Sequence, residues 1–248
     1  VPIERLDAVD RFALARYGAA AARARAAYDA YDFSGVYQAL TMLATVDLSA
    51  FYVDVTKDRM YTLGARSRER RSTQTAMYVI CDGLARLLAP ILPVTADQLW
   101  QHLPGKRSAS VHLETLPEPQ SFDHPTLVAD WDRLLGIRET VNAALEEKRK
   151  NKVIGNSLGA RLSITASGAT AALLEQYQAQ LPMLFIVSEL SLQLGPREGA
   201  DELRVEVDKA SGVKCDRCWR YVPSVRSEPD WAGICDRCVE ALAEPVNR

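Results

Sequence analysis

Four cysteines near the end of the chain carry the most specific chemistry in the sequence. Cys215-Asp216-Arg217-Cys218 and Cys235-Asp236-Arg237-Cys238 are two C-x2-C pairs separated by 16 residues. Each pair can turn tightly enough to aim both sulfurs at one cation, and two such turns facing each other complete a tetrahedron with Zn–S distances of ~2.3 Å. The spacing predicts one Zn2+ held by Cys215, Cys218, Cys235 and Cys238. Four thiolates leave no position open for water or substrate, so the site is expected to be structural rather than catalytic. The 25 residues from Lys214 to Cys238 contain few large apolar groups, and metal binding should then supply much of their folding free energy. A dithiol redox pair is the competing reading, but one C-x-x-C would suffice for it and no thioredoxin-like βαβ pattern surrounds either pair. The fifth cysteine, Cys81, shares a helical face with Met77, Leu84 and Leu88 and reads as a core residue.

Beside the ligands stand Arg217, Trp219, Arg220, Tyr221, Trp231 and Arg237. Adjacent aromatic and guanidinium planes are what unstacked bases and phosphates bind, so Arg217, Trp219, Arg220 and Arg237 are candidate RNA contacts. The plainer alternative is that Trp219 and Trp231 cover the metal site. The stretch Lys57–Arg71 holds six basic residues, Lys57, Arg59, Arg66, Arg68, Arg70 and Arg71, against Asp58 and Glu69. It is expected to form a basic connection between two helices, able to pair with the phosphates of a single-stranded RNA loop. A second cluster, Lys148, Arg149, Lys150 and Lys152, ends a long helical stretch before Gly155 and Gly159. Lys148, Lys150 and Lys152 are candidate RNA contacts, although cations at a helix C-terminus are favoured by the dipole in any protein. His102, His112 and His124 have no metal or relay spacing, and neither a glycine-rich phosphate loop nor a nucleophile elbow is present. No catalytic residue is expected.

The elements that must position these residues follow from periodicity. Helices are expected over Arg5–Ala30, Val36–Val55 and Arg71–Leu92, the last stopping by Pro93. Thr95-Ala96-Asp97-Gln98 has the form of a capping box opening a short helix through Trp100, and Pro104-Gly105 closes it. Leu116-Pro117-Glu118-Pro119 reads as a connector. Thr126–Lys150 predicts another long helix. Beyond it Leu162, Ile164 and Ala166 alternate, as do Leu203, Val205 and Val207, while Leu184–Val187 is a short apolar run and Thr170–Leu181 is helical. The fold class is mainly α: a helical bundle over 1–122, a long helix with a small α/β subdomain over 123–212, and a four-cysteine zinc module over 213–248.

A chain of 248 residues with 48% apolar and 25% charged residues has the composition of a globular protein. Its formal charge of −2 excludes a uniformly basic nucleic-acid binder, so any such surface must be local. No run approaches the ~20 uninterrupted apolar residues that span a bilayer, and the charged first 30 residues do not read as a signal peptide. A cytoplasmic monomer with no membrane partner is expected. The start at Val1-Pro2 reads as a piece of something larger.

The residues also resemble a known family. Tyr31-Asp32-Phe33, Asp47-Leu48-Ser49-Ala50-Phe51-Tyr52, Lys57-Asp58-Arg59-Met60-Tyr61, Arg70-Arg71-Ser72-Thr73-Gln74-Thr75, Leu88-Ala89-Pro90-Ile91-Leu92-Pro93 and Trp100-Gln101-His102-Leu103-Pro104-Gly105 are similar to the anticodon-binding helical domain of bacterial isoleucyl-tRNA synthetases. Lys214-Cys215-Asp216-Arg217-Cys218-Trp219-Arg220-Tyr221 and Cys235-Asp236-Arg237-Cys238 resemble the zinc module that ends those class I enzymes. Val153-Ile154-Gly155-Asn156-Ser157-Leu158 and Leu184-Phe185-Ile186-Val187-Ser188 resemble their junction segments. The resemblance implies the tRNA-recognising portion of an enzyme that joins isoleucine to its tRNA using ATP. The HIGH-like and KMSKS-like sequences of the catalytic domain and the editing domain are missing from these residues, so the chain alone is expected to be inactive as a ligase.

Two other classes fit part of the sequence. Formamidopyrimidine-type DNA glycosylases end in a very similar finger and flip damaged bases. Their nucleophile is an amino-terminal proline, whereas Pro2 here stands behind Val1. A helical adaptor with a structural zinc module is the third reading, and it predicts binding indifferent to RNA and to salt.

Overall fold

In the computed structural model, residues 1–118, 122 and 124–244 are described. Pro119 of the expected connector, residue 123 at the expected start of the long-helix segment, and residues 245–248 of the four-cysteine module lie outside the described residues. The chain divides into two compact units, Val1–Thr56 with Ser67–Val128, and Lys57–Arg66 with Ala129–Arg248.

The first unit is helical. α1 (Ala8–Asp29) buries Val9, Phe12, Leu14 and Tyr17 together with Ala20, Ala21 and Ala24, a narrow face against which α2 (Phe33–Met42) and α4 (Arg68–Leu88) pack. α2 is capped by Asp32, whose carboxylate accepts from the Gly35 amide at 2.9 Å. The expected α-helix over Val36–Val55 is instead α2 followed by a π-helical stretch, Leu43–Val53, which leads into α3 (Asp54–Thr62). Buried or half-buried positions recur there at Leu43, Asp47–Leu48, Phe51–Tyr52 and Val55–Thr56. That interval is wider than an α turn, and i→i+5 bonding keeps those positions on one side. Phe33–Thr62 is long and apolar enough by composition to cross a membrane. Its buried residues Val36, Leu40, Leu43 and Phe51 instead belong to the helical core.

A buried carboxylate organises this core. Asp10 of α1 is fully buried and accepts hydrogen bonds from Tyr52 Oη at 2.6 Å, Ser72 Oγ at 2.5 Å and Thr73 Oγ1 at 3.0 Å. α4 begins three residues earlier than expected because Ser67 caps it, accepting from the Arg70 amide. A Cβ on Gly83 would overlap Tyr17 Oη, so only glycine permits this approach of α4 to α1. Met77 and Leu84 of the expected apolar stripe are half-buried, and the fully buried face is made by Ser72, Thr73, Ala76, Ile80 and Gly83. α5 (Pro93–His102) starts at the proline itself, so Thr95 lies inside the first turn and not at the cap. The fixed φ of proline suits that first position, where no amide partner is needed. Ala96 and Trp100 of α5 pack with Ala85, Ala89 and Val111.

The second unit is built on α6 (Pro125–Lys150) from Ala129 onward. Trp131, Leu134, Ile137, Val141 and Leu145 are buried, and Trp131 meets Tyr177 edge-on with ring centroids 5.8 Å apart. A three-stranded sheet, ordered β2-β1-β3, follows. β1 (Ala160–Ala166) runs parallel to β2 (Glu189–Leu194) and antiparallel to β3 (Leu203–Lys209), pairing Leu162 with Leu190 and Val207. The parallel pair requires the crossover made by α7 (Gly168–Gln176) and α8 (Leu181–Leu184). The expected helix Thr170–Leu181 is therefore broken in two. Leu184–Val187 forms no strand: it closes α8 and turns through Ile186 at φ +55°, with Leu184, Phe185 and Val187 buried. Pairing begins only at Glu189. The unit ends with a two-stranded ribbon, β4 (Val213–Lys214) and β5 (Tyr221–Val222), and α9 (Asp236–Ala243).

Candidate metal centre and nucleic-acid interface

The ribbon and α9 bring the four cysteines together. Cys215 follows β4, and its amide donates to Arg220 O at 2.9 Å while Trp219 N donates back to Cys215 O at 2.9 Å, which closes the first knuckle. Trp219 takes φ +63° to complete that turn. Cys235 precedes α9, and the Cys238 and Val239 amides donate to its carbonyl, which forms the second knuckle. The knuckles are joined by Asp216 N donating to Gly233 O at 3.0 Å. Gly233 has φ +81°, and a Cβ there would strike Asp216 Oδ2.

All four sulfurs are buried and lie within 4.8 Å of one another. Cys215 and Cys238 Sγ are 3.8 Å apart, as are Cys218 and Cys235. A tetrahedron with ligand distances of ~2.3 Å has edges of about 3.8 Å, so the residues fit a four-thiolate metal site. Burial raises the Cys215 thiol, but the surrounding backbone amides outweigh it and bring its pKa down to about 6. Cys238 is pushed up to about 12, chiefly by burial. Such unequal thiols are levelled when a cation displaces their protons. Val222, Val225 and Ile234 pack against the sulfurs. Trp219 is 59% exposed, with Lys214 Nζ 5.4 Å from its ring centroid, and Trp231 is half-buried.

Three of the basic residues expected to face RNA are engaged within the second unit. Arg237 donates Nη1 and Nη2 to the carboxylate of Asp58 at 2.8 and 2.9 Å. Arg220 Nη2 stands 3.4 Å from the same carboxylate, and its Nη1 donates to Val187 O at 2.9 Å. Arg217 Nη1 donates to Thr62 O at 2.6 Å and lies 3.5 Å from Cys238 Sγ. Thr62 Oγ1 also donates to Asp58 at 2.7 Å. Burial opposes ionisation of Asp58, but the Arg237 guanidinium, then Arg220 and Thr62, outweigh it and hold the carboxyl at about 2. Arg237 is correspondingly raised above the ordinary guanidinium range despite its burial. Four thiolates around a divalent cation would carry excess negative charge, which Arg217 would offset at short range. Asp58 escaped sequence reasoning because it counted only as a charge diluting a basic run. An acid flanked by Lys57 and Arg59 was its single signal.

The basic stretch Lys57–Arg71 is not one loop. Lys57 and Arg59 lie on α3, and only residues 63–67 connect it to α4. Arg59 is buried, and both Lys57 and Arg59 are engaged by neighbours. Lys57, Arg59 and Arg66 belong to the second unit; Arg68, Arg70 and Arg71 belong to the first. Arg68 donates to Arg5 O at 3.1 Å and stands 3.4 Å from Asp7, Arg71 donates to Gln74 at 3.0 Å, and Arg70 is half-buried and also engaged. Lys150 and Lys152 are exposed and Lys148 half-buried at the end of α6. There the Val153 amide donates to Lys148 O, and Lys152 takes the left-handed conformation usual for glycine, with φ +58°.

Comparison with known proteins agrees with this architecture. Residues 10–164 match the family described as "Anticodon-binding domain of tRNA ligase", and residues 212–241 match "Zinc finger found in FPG and IleRS". The isoleucine–tRNA ligase of Syntrophotalea carbinolica is 45% identical over 248 residues, covering 97% of this chain and 27% of that protein. Those of Geobacillus kaustophilus and Thermotoga maritima are 40% and 42% identical, each covering 98% of this chain and 28% and 27% of their own lengths. The chain thus spans somewhat over a quarter of the curated relatives it matches. With the helical match extending over well more than half of its residues, the chain belongs to the anticodon-binding domain family of tRNA ligases.

Proposed function

We propose that this chain is the tRNA-recognition portion of an isoleucine–tRNA ligase, acting on the anticodon stem-loop of isoleucine tRNA. The observation that carries the reading is similarity to isoleucine–tRNA ligases along nearly the whole chain. The full enzyme would attach isoleucine to tRNA using ATP; this chain, as a monomer, would bind without catalysing. The zinc-finger match names two kinds of protein, and the helical match beside it favours the synthetase over the glycosylase.

The metal is Zn2+, held by Cys215, Cys218, Cys235 and Cys238, and it supplies folding free energy to the terminal module over 213–248. Recognition divides between phosphate contacts, which orient the RNA, and contacts to unstacked bases, which read it. Lys148, Lys150, Lys152, Arg66 and Arg71 would serve the phosphates and Trp219 would stack on a base. Arg217, Arg220 and Arg237, together with Lys57, Arg59, Arg68 and Arg70, would act chiefly by holding those groups in place. Filter binding of the full chain to isoleucine tRNA and to the same tRNA with a swapped anticodon tests the proposal. Preference for the former is expected; equal affinity removes the specificity, and binding to neither removes the function.

A further inference from the structure

A cleft of about 470 Å³ in the second unit is lined by Arg149, Lys152, Gly155, Gly159, Lys209 and Tyr221. Its size falls in the range of small-ligand sites, about 300–1,000 Å³. Arg149 and Lys152, around the end of α6, and Lys209, at the end of β3, line it, and among the described residues no carboxylate does. Arg149 is paired with Glu146, but Lys152 and Lys209 have no acidic partner among the described residues. Asp208, the neighbour of Lys209 on β3, points to the opposite face of the strand.

The walls are fixed before any ligand arrives. The Tyr221 amide donates to Ser188 Oγ at 2.8 Å, and Ser188 donates in turn to Leu158 O at 2.6 Å. Ala210 N donates to Gly159 O at 2.8 Å, which ties the end of β3, and with it Lys209, to the floor. Gly159 Cα carries no side chain between the floor and the Tyr221 ring, whose Cε2 would lie 3.8 Å from a Cβ there. Lys152 itself takes the left-handed conformation, two residues beyond the end of α6. Unpaired cations beside an aromatic ring, in a cleft open to solvent, recognise a phosphate joined to a flat ring.

We infer that this cleft seats one unpaired ribonucleotide of a bound RNA, its phosphate between Lys152 and Lys209 and its base or ribose against Tyr221. The inference rests on the tRNA-binding reading and deepens it. An acidic peptide would use the charges but leave the ring without purpose.

The test compares the full chain with Lys152→Ala, Lys209→Ala and Gly155→Glu. A Cβ on Gly155 meets nothing within 4 Å, so glutamate there adds bulk and negative charge to the cleft without strain on the fold. Binding is measured to isoleucine tRNA across a salt series, to uridine 5′-monophosphate by amide chemical shifts, and to polyglutamate. Each lysine variant should weaken tRNA binding roughly threefold to tenfold and reduce the slope of log affinity against log salt by about 1. Gly155→Glu should weaken it more than tenfold and erase the shifts that the mononucleotide causes at Tyr221 and Gly155, with circular dichroism and metal content unchanged. Wild-type tRNA affinity and slope in all three variants would overturn the inference while leaving the tRNA-binding function standing, even if the free mononucleotide still bound. Loss of tRNA binding by the parent chain, with the mononucleotide shifts retained and sensitive to Gly155→Glu, would sink the function and support the cleft. Polyglutamate binding as tightly as RNA and equally sensitive to the variants would assign the cleft to acidic peptides and overturn the nucleotide.

Discussion

Arg237 and Asp58 are 179 positions apart in sequence, yet the guanidinium of Arg237 spans both carboxylate oxygens of Asp58 at 2.8 and 2.9 Å. The pair joins the middle of α3 to the second cysteine knuckle. Removing one partner leaves the other half-buried and unmatched, which costs more than the pair itself contributes. Asp58→Asn should destabilise the second unit by about 1–3 kcal/mol. Arg237→Lys should also weaken it, because an ammonium cannot reproduce the two-pronged contact. Limited proteolysis after residue 209 should become faster in both variants, with the helices of the first unit protected as before.

The same pair sets a pH dependence. Asp58 has a folded-state pKa of about 2, below the ordinary carboxylate value of 3.8, so its contribution is complete above pH ~4 and lost as pH falls towards 2. The depression corresponds to about 2 kcal/mol at neutral pH. Protonation of the cysteines also destabilises the module in acid. The Asp58 share is therefore the difference between wild type and Asp58→Asn, which should shrink between pH 4 and pH 2 in denaturant melts. A difference that stays constant over that interval would contradict the assignment.

Metal removal should act locally. A strong chelator, or Cys215→Ser, is expected to release about one Zn2+ per chain and unfold the segment from Lys214 to Cys238, because Val222, Val225 and Ile234 are too small a core to hold it. Far-ultraviolet circular dichroism should change little, since α9 is the one long element lost. Global loss of helix on chelation would refute a local role.

Asp10 should be the most sensitive polar position of the first unit. Asp10→Leu removes the acceptor shared by Tyr52, Ser72 and Thr73 and strands three buried hydroxyls. A loss of roughly 3 kcal/mol or more is expected, read as a lowered midpoint of urea unfolding.

Trp219 separates binding from stability. It is exposed and held at φ +63°, a conformation that glycine adopts without strain. Trp219→Gly should leave the module as stable or slightly more so, while tRNA affinity falls about tenfold through lost stacking. Unchanged affinity would mean that no base stacks there.

Much of this protein follows from local chemistry alone. The gathering of the four cysteines is legible because two C-x2-C turns can bring all four sulfurs to one point. The buried stripes of α1 and α6 and the alternation of β1 and β3 are legible because helix and strand periods sort apolar residues onto one face. The roles of Arg217, Arg220 and Arg237 are not legible in this way. A charged side chain in sequence does not disclose whether it turns outward to a ligand or inward to a distant carboxylate such as that of Asp58. The same limit hid Asp10, whose three hydroxyl partners come from two other helical segments, and the convergence of Lys152, Lys209 and Tyr221 on one cleft. Periodicity reports which face of an element is buried; which distant polar group meets which is decided only when the elements pack, because that pairing depends on the three-dimensional register between them.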